Sequence, residues 1–183
     1  MKREIVKFGS KVLRCVADPI AKVDADIKSL VNDLFDSLKE AEGVGLAAPQ
    51  IGISKRVIVV DVSAQEPDKP PLALINPTIV NSSGTAVGEE GCLSIPEVYG
   101  DVSRYNAIEI DSIDVNGDEY HFQAEGFYAR VLQHEIDHLD GKLFIDYLPP
   151  LKRTLMRNAL KRIKAEGELW DQQQSDVLKR SEN

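Results

Sequence analysis

His134 and His138 stand four residues apart in Gln133-His134-Glu135-Ile136-Asp137-His138, near the end of an apolar-periodic segment. On a helix this spacing puts both imidazoles on one face, with Cβ atoms roughly 5–6 Å apart. Two neutral ring nitrogens at that separation can hold one divalent cation. Glu135 adjoins the first histidine, so its carboxylate can reach a metal-bound water without being a ligand itself. A solvated helix face can show the same spacing, and the motif alone leaves both readings open.

A third donor stands in Glu89-Glu90-Gly91-Cys92-Leu93-Ser94-Ile95-Pro96. Taken alone, Cys92 reads as a small buried hydrophobe. Beside two candidate imidazoles, its thiolate completes a three-ligand set with one position left for water, as in catalytic rather than structural sites. A metal lowers the thiol pKa and so favours the thiolate. Gly43-Val44-Gly45-Leu46-Ala47-Ala48-Pro49-Gln50 carries two glycines and two alanines. So little side chain lets the backbone come close to a ligand or to another strand; tight packing of two elements is the plainer alternative. Pro49 fixes the chain before Gln50, whose amide can donate to an oxygen anion. Phe127, Arg130 and Val131 precede His134 by seven, four and three residues, on the metal-facing side, where they could wall a pocket. Phe127 and Val131 also fit a plain core.

The elements that must hold these residues are readable from periodicity. The spacing predicts a helix from about Asp24 or Ala25 to Glu42, with a stripe of Ile27, Leu30, Val31, Leu34, Phe35 and Leu38 and with Gly43 as its stop. Val57–Val62 is a β-branched run and reads as a buried strand. Leu72–Ile75 and Thr78–Ser82 read as short strands separated by Asn76-Pro77, and Gly84–Glu90 reads as turn-rich. Ala107–Val115 and Glu119–Ala124 flank Asn116-Gly117, a strong hairpin signal. Tyr120, Phe122 and Ala124 share one face there, which sends His121 to solvent. The motif helix is expected over Phe127 to about Leu139, closed by Gly141. A last helix is expected over about Leu151–Leu169, with a frayed polar tail over about 171–183. Residues 1–23 read as irregular apart from one turn at Lys11–Arg14, and Cys15 is expected to pack as a small hydrophobe.

At 183 residues the chain suits one domain with a sizeable core. No apolar run approaches the roughly 20 residues of a membrane span, and the N-terminus has no signal-peptide character. A cytoplasmic protein is expected, with Cys15 and Cys92 unpaired. The net charge of −8 gives no support to general nucleic-acid binding. Against that balance, Lys152 to Lys164 carries Lys152, Arg153, Arg157, Lys161, Arg162 and Lys164 with no acidic residue between them.

Gly43–Gln50, Glu90-Gly91-Cys92-Leu93-Ser94 and Gln133–His138 together resemble the three signature motifs of peptide deformylase, in the same order and at similar separations. The resemblance implies an α+β fold, with antiparallel strands packed around a central HExxH-bearing helix and with an N-terminal and a C-terminal helix, as one catalytic domain over 1–183. It implies removal of the formyl group from the N-terminal formylmethionine of newly made polypeptides. It implies one divalent metal ion, Fe2+, with Zn2+, Ni2+ or Co2+ as substitutes. By the same resemblance, Cys92, His134 and His138 are the metal ligands and Glu135 the general base and acid. Gln50 and the backbone N–H of Leu93 become the oxyanion donors. Gly45 contacts the peptide backbone, while Val44, Phe127 and Val131 form the methionine pocket. Glu90 and Arg104 become an ion pair supporting the site. The basic terminal helix is associated with ribosome docking; no membrane and no specific DNA are implied. Val98-Tyr99-Gly100 departs from the pattern, standing where some relatives place an arginine near the peptide. An ordinary zincin is the nearest rival, with Glu166 or Glu168 as third ligand.

Overall fold

The computed structural model describes residues 1–181, without the side chains of Leu178 and Ser181. Seven strands and four helices alternate with short 3-10 turns: α1 (Ala25–Glu40), β1 (Gly45–Ala47), β2 (Val57–Val60), β3 (Leu72–Ser83), β4 (Ala86–Cys92), β5 (Ile95–Arg104), β6 (Ala107–Ile113), β7 (Glu119–Glu125), α2 (Gly126–Leu139), α3 (Pro150–Leu155) and α4 (Arg157–Ser181). Every pairing between these strands is antiparallel. One sheet runs β1-β2-β3-β6-β7, and β4 pairs with β5 apart from it. The arrangement is the expected α+β one.

β2 shows why the large sheet forms. Its Val57 and Val59 pack with Leu30, Val31, Leu34 and Leu38 of α1 on one face. Ile58 and Val60 pack with Ala129, Leu132 and Ile136 of α2 on the other. A strand alternates its side chains between faces, so a strand covered on both sides must be apolar throughout. The unbroken Val57–Val60 run is that case. Ile95, Val98 and Val102 of β5 enter a third core, with Phe144, Leu148 and Ile163.

Several boundaries differ from the sequence reading, each for a local reason. Asp24 starts α1 by accepting from the Ile27 N–H at 3.0 Å. The helix stops at Glu40, and the left-handed residue that turns the chain is Glu42, at φ 53°, rather than Gly43. Asn76-Pro77 does not divide β3: the strand continues through a register shift, and the Asn76 side chain bonds both the N–H and the carbonyl of Ile20. Gly84–Glu90 is largely strand β4 rather than turn. Cys15 is exposed, because Leu13 takes the buried position of the Lys11–Arg14 turn. His121 is exposed and bonded to Asp111, as its strand parity requires.

The C-terminal region departs most. The chain breaks helix at Met156, between α3 and α4, and α4 then runs to Ser181 where a frayed tail was expected after Asp171. Docking explains the extension. Gly167 lies against the backbone of Lys7, Phe8 and Ser10, so close that a Cβ would come within 2.3 Å of the Lys7 carbonyl oxygen. Asp171 accepts from the Ser10 hydroxyl and from the Lys11 N–H. Once that stretch is fixed, each added residue costs only its own ordering and gains a helical bond.

Candidate active site

Helix α2 and the β4–β5 hairpin supply the candidate metal donors from opposite sides. The sulfur of Cys92 and one ring nitrogen each from His134 and His138 all lie within 4.8 Å of one another. Cys92 Sγ is 3.3 Å from His138 Nε2. His134 Nδ1 meets Glu90 Oε2 at 2.9 Å. With Nδ1–H donating to that carboxylate, Nε2 keeps its lone pair for the cluster, the usual outer-sphere arrangement of a metal-bound histidine. One thiol and two buried imidazoles suit a borderline-soft divalent ion. Neither Glu166 nor Glu168 belongs to the cluster; both are exposed on α4.

Behind the ligands lies a buried network of charge. Glu90 Oε1 accepts from Arg104 Nε at 2.9 Å and from Arg130 Nη1 at 2.8 Å, and Oε2 accepts from Arg104 Nη2 at 3.0 Å. Arg104 Nη1 reaches Asp137. Burial works to raise the Glu90 carboxyl, but the bonds to His134 and Arg104 outweigh it and hold the pKa down at about 2. Glu90 is therefore a fixed anion beneath His134.

Glu135 has the opposite surroundings. It is buried, and burial pushes its pKa up to about 7. Its Oε2 meets no hydrogen-bonding partner among the described residues. The carboxyl lies against Gly45, where a Cβ would stand 2.5 Å from Oε1. Only glycine lets β1 pass so close to it. Gln50, in the 3-10 turn Ala48–Ile51, is oriented by the Ala47 N–H, which donates to its Oε1 at 2.8 Å. Its Nε2 then faces Cys92 Sγ at 3.5 Å and Ser94 Oγ at 3.3 Å. Leu93 sits in the turn just after Cys92.

A cavity of about 290 Å³ opens onto these groups. Val44, Gly45, Leu93, Phe127 and Val131 line it together with Gln50, Cys92, His134 and Glu135. Tyr99 lies at its edge, 58% exposed, where the departure Val98-Tyr99-Gly100 falls. The structure thus brings Val44, Gly45, Gln50, Glu90, Cys92, Leu93, Phe127, Val131, His134 and Glu135 to one cavity, with His138 and Arg104 behind them.

Three contributors were not read from the sequence in these roles. Arg130, expected only to wall a pocket, bonds Glu90 and the hairpin backbone. Asp137 carries the second ion pair of Arg104. Gln133 fastens α2 to the backbone of Tyr105 through both ends of its amide. A signal existed for two of them: Arg130, His134 and Asp137 follow at four and three residues, on one helix face.

Known proteins share this sequence pattern and fold. Residues 2–154 match the family described as Polypeptide deformylase. The peptide deformylase of Rhizobium meliloti is 48% identical over 167 residues, covering 90% of this chain and 96% of that one. That of Alkalilimnicola ehrlichii is 46% identical over 164 residues, covering 90% and 92%. The crystal structure of a peptide deformylase from Legionella pneumophila superposes with a TM-score of 0.83 at 42% identity, over 90% of this chain and 96% of that one. The Ehrlichia chaffeensis peptide deformylase in complex with actinonin gives a TM-score of 0.83 at 37% identity, over 90% and 96%.

Proposed function

This chain belongs to the peptide deformylase family and removes the N-formyl group from formylmethionyl nascent peptides, and from that premise we propose how its residues divide the work. Cys92, His134 and His138 hold one divalent ion, Fe2+ in the cell, with Zn2+, Ni2+ or Co2+ as substitutes. A divalent ion there supplies the Lewis acidity that brings the pKa of water from ~15.7 down to ~7.

Everything else falls to the chain. Glu135 takes the proton of the attacking water on its unpaired carboxyl oxygen and delivers it to the departing amide nitrogen, releasing formate. Gln50 Nε2 and the Leu93 N–H donate to the oxyanion of the tetrahedral intermediate; losing one such donor typically costs about 10²–10³-fold in rate. Glu90, paired with Arg104, keeps the His134 ring turned toward the ion. The substrate backbone pairs edge-on at Gly45, and its methionine side chain enters the apolar wall of Val44, Phe127 and Val131. Recognition through the backbone tolerates many sequences after methionine.

The carrying observation is the juxtaposition of three metal donors within 4.8 Å with a buried carboxyl that has an unpaired oxygen. Formate release from formyl-Met-Ala-Ser, on protein purified anaerobically with its metal content measured, tests it. Glu135→Ala should keep the metal and lose about 10²–10⁴-fold in rate. A variant with the parent rate would remove Glu135 from the mechanism.

We also propose that residues 1–183 act as one catalytic domain in the cytoplasm, and that Lys152 to Lys164 docks on the ribosome. Arg153, Arg157, Lys161 and Lys164 are exposed there, beside Leu151 and Leu155 at 72% and 79% exposure. Salt-sensitive co-sedimentation with ribosomes, lost when these cations are replaced by glutamine, is the expected result.

A further inference from the structure

Arg130 lies one helical turn before His134, and its guanidinium crosses from α2 to the β4–β5 hairpin. Nη1 donates to Glu90 Oε1 at 2.8 Å and to the Val102 carbonyl at 2.9 Å, and approaches the Gly88 carbonyl at 3.4 Å. Nη2 donates to the Ala86 carbonyl at 2.6 Å. The acceptors belong to both strands of the hairpin. A planar fork with five N–H donors can serve them at once; an ammonium, with its donors on one nitrogen, cannot. Gly88 gives the fork its space, since a Cβ there would stand 3.1 Å from Arg130 Cζ.

The hairpin needs such a fastening. It pairs with no strand of the five-stranded sheet, and the apolar core it shares with Phe144, Leu148 and Ile163 contains no residue of α2 among the described residues. Yet it carries Cys92 and Glu90, while α2 carries His134 and His138. The spacing of the three metal donors is therefore the spacing between hairpin and helix. Glu90 joins the two. Its oxygens accept Arg104 Nε, Arg104 Nη2, Arg130 Nη1 and His134 Nδ1. A carboxylate offers about four acceptor positions, so this one has none spare and cannot turn.

We propose that Arg130 is a positioning residue for deformylation: by gripping both strands of the hairpin and Glu90, it fixes Cys92 at ligand distance from His134 and His138. The proposal rests on the assignment of those three residues as the metal ligands.

Cobalt(II) reads ligand geometry independently of turnover, because a thiolate–cobalt bond absorbs in the near ultraviolet and the visible bands follow coordination. The parent protein should show the thiolate band, and Cys92→Ala should lose it. In Arg130→Met, cobalt affinity measured against a competing chelator should fall about 10–100-fold, the range for partners that orient metal ligands. The visible bands should shift, and Arg130→Lys should recover only part of the affinity. Gly88→Ala, which presses a methyl on the guanidinium and keeps the charge, should move affinity and spectrum the same way, and should add little on top of Arg130→Met. Parent affinity with a parent spectrum in Arg130→Met overturns the role. Should that variant fail to fold, the same result in Gly88→Ala overturns it. A parent protein without the thiolate band overturns the ligand assignment itself and this inference with it. The first two outcomes leave the ligand assignment standing.

Discussion

The five-stranded sheet and the β4–β5 hairpin are both antiparallel, yet they are held by different physics. The sheet lies between α1 and α2, with apolar side chains on both faces of β2. The hairpin buries one face, apolar where Ile95, Val98 and Val102 meet Phe144 and Leu148. Further along the same face it is tied to α2 by Arg130, by Glu90 with His134, and by Arg104 with Asp137. Burial of apolar area is non-directional and stabilises a sheet without placing any one atom closely. Charged hydrogen bonds are directional, and once buried they are costly to break. The sheet is joined to α2 by apolar packing, and the hairpin is joined to α2 by charged hydrogen bonds.

Glu90→Leu is the sharpest way to break that contrast. It leaves Arg104 and Arg130 without their shared carboxylate, and removing one partner of a buried pair costs about 3–5 kcal/mol. Denaturant unfolding should register that loss, and metal retention should fall with it. Ile58→Ala removes a fully buried side chain from the sheet core. Its stability should drop by about 2–5 kcal/mol, while metal affinity and rate per folded molecule stay at the parent values. If Ile58→Ala weakened the metal as much as Glu90→Leu, the two regions would not be separable. The smallest effect belongs to Asp24→Ala, which removes the N-cap of α1 on the side of the sheet away from the site. About 1 kcal/mol of stability should go, with no change in turnover.

The same contrast decides what could be read from the residues. Val57–Val60 is legible because a strand buried on both faces has to be β-branched and apolar. Strand β4 was not, because Gly84, Gly88 and Gly91 imitate a turn. At Gly88 the glycine makes room for the Arg130 guanidinium, a contact that leaves no periodicity. The metal cluster was legible because His134 and His138 share a helix face whatever the tertiary structure, and Cys92 became meaningful beside them. The grip of Arg130 on three carbonyls has no such signature, since backbone acceptors are the same at every residue. The extension of α4 past Asp171 was hidden likewise: its anchor is Ser10, at the far end of the chain.

That anchor bears on how the protein is made. Ser10 and Asp171 are 161 positions apart, and the intervening loop is the costliest kind to close. Just ahead of Ser10, the Val6 N–H donates to the Gln50 carbonyl, the Phe8 N–H to the Ser94 carbonyl, and Lys7 Nζ to the Leu93 carbonyl. The segment clasped by α4 is the one that backs the proposed oxyanion donors. During translation Val6–Ser10 is made long before α4, which supplies its outer support. An enzyme that acts on nascent chains thus completes the enclosure of its own Lys7–Lys11 segment only once Gly167 and Asp171 have been synthesised.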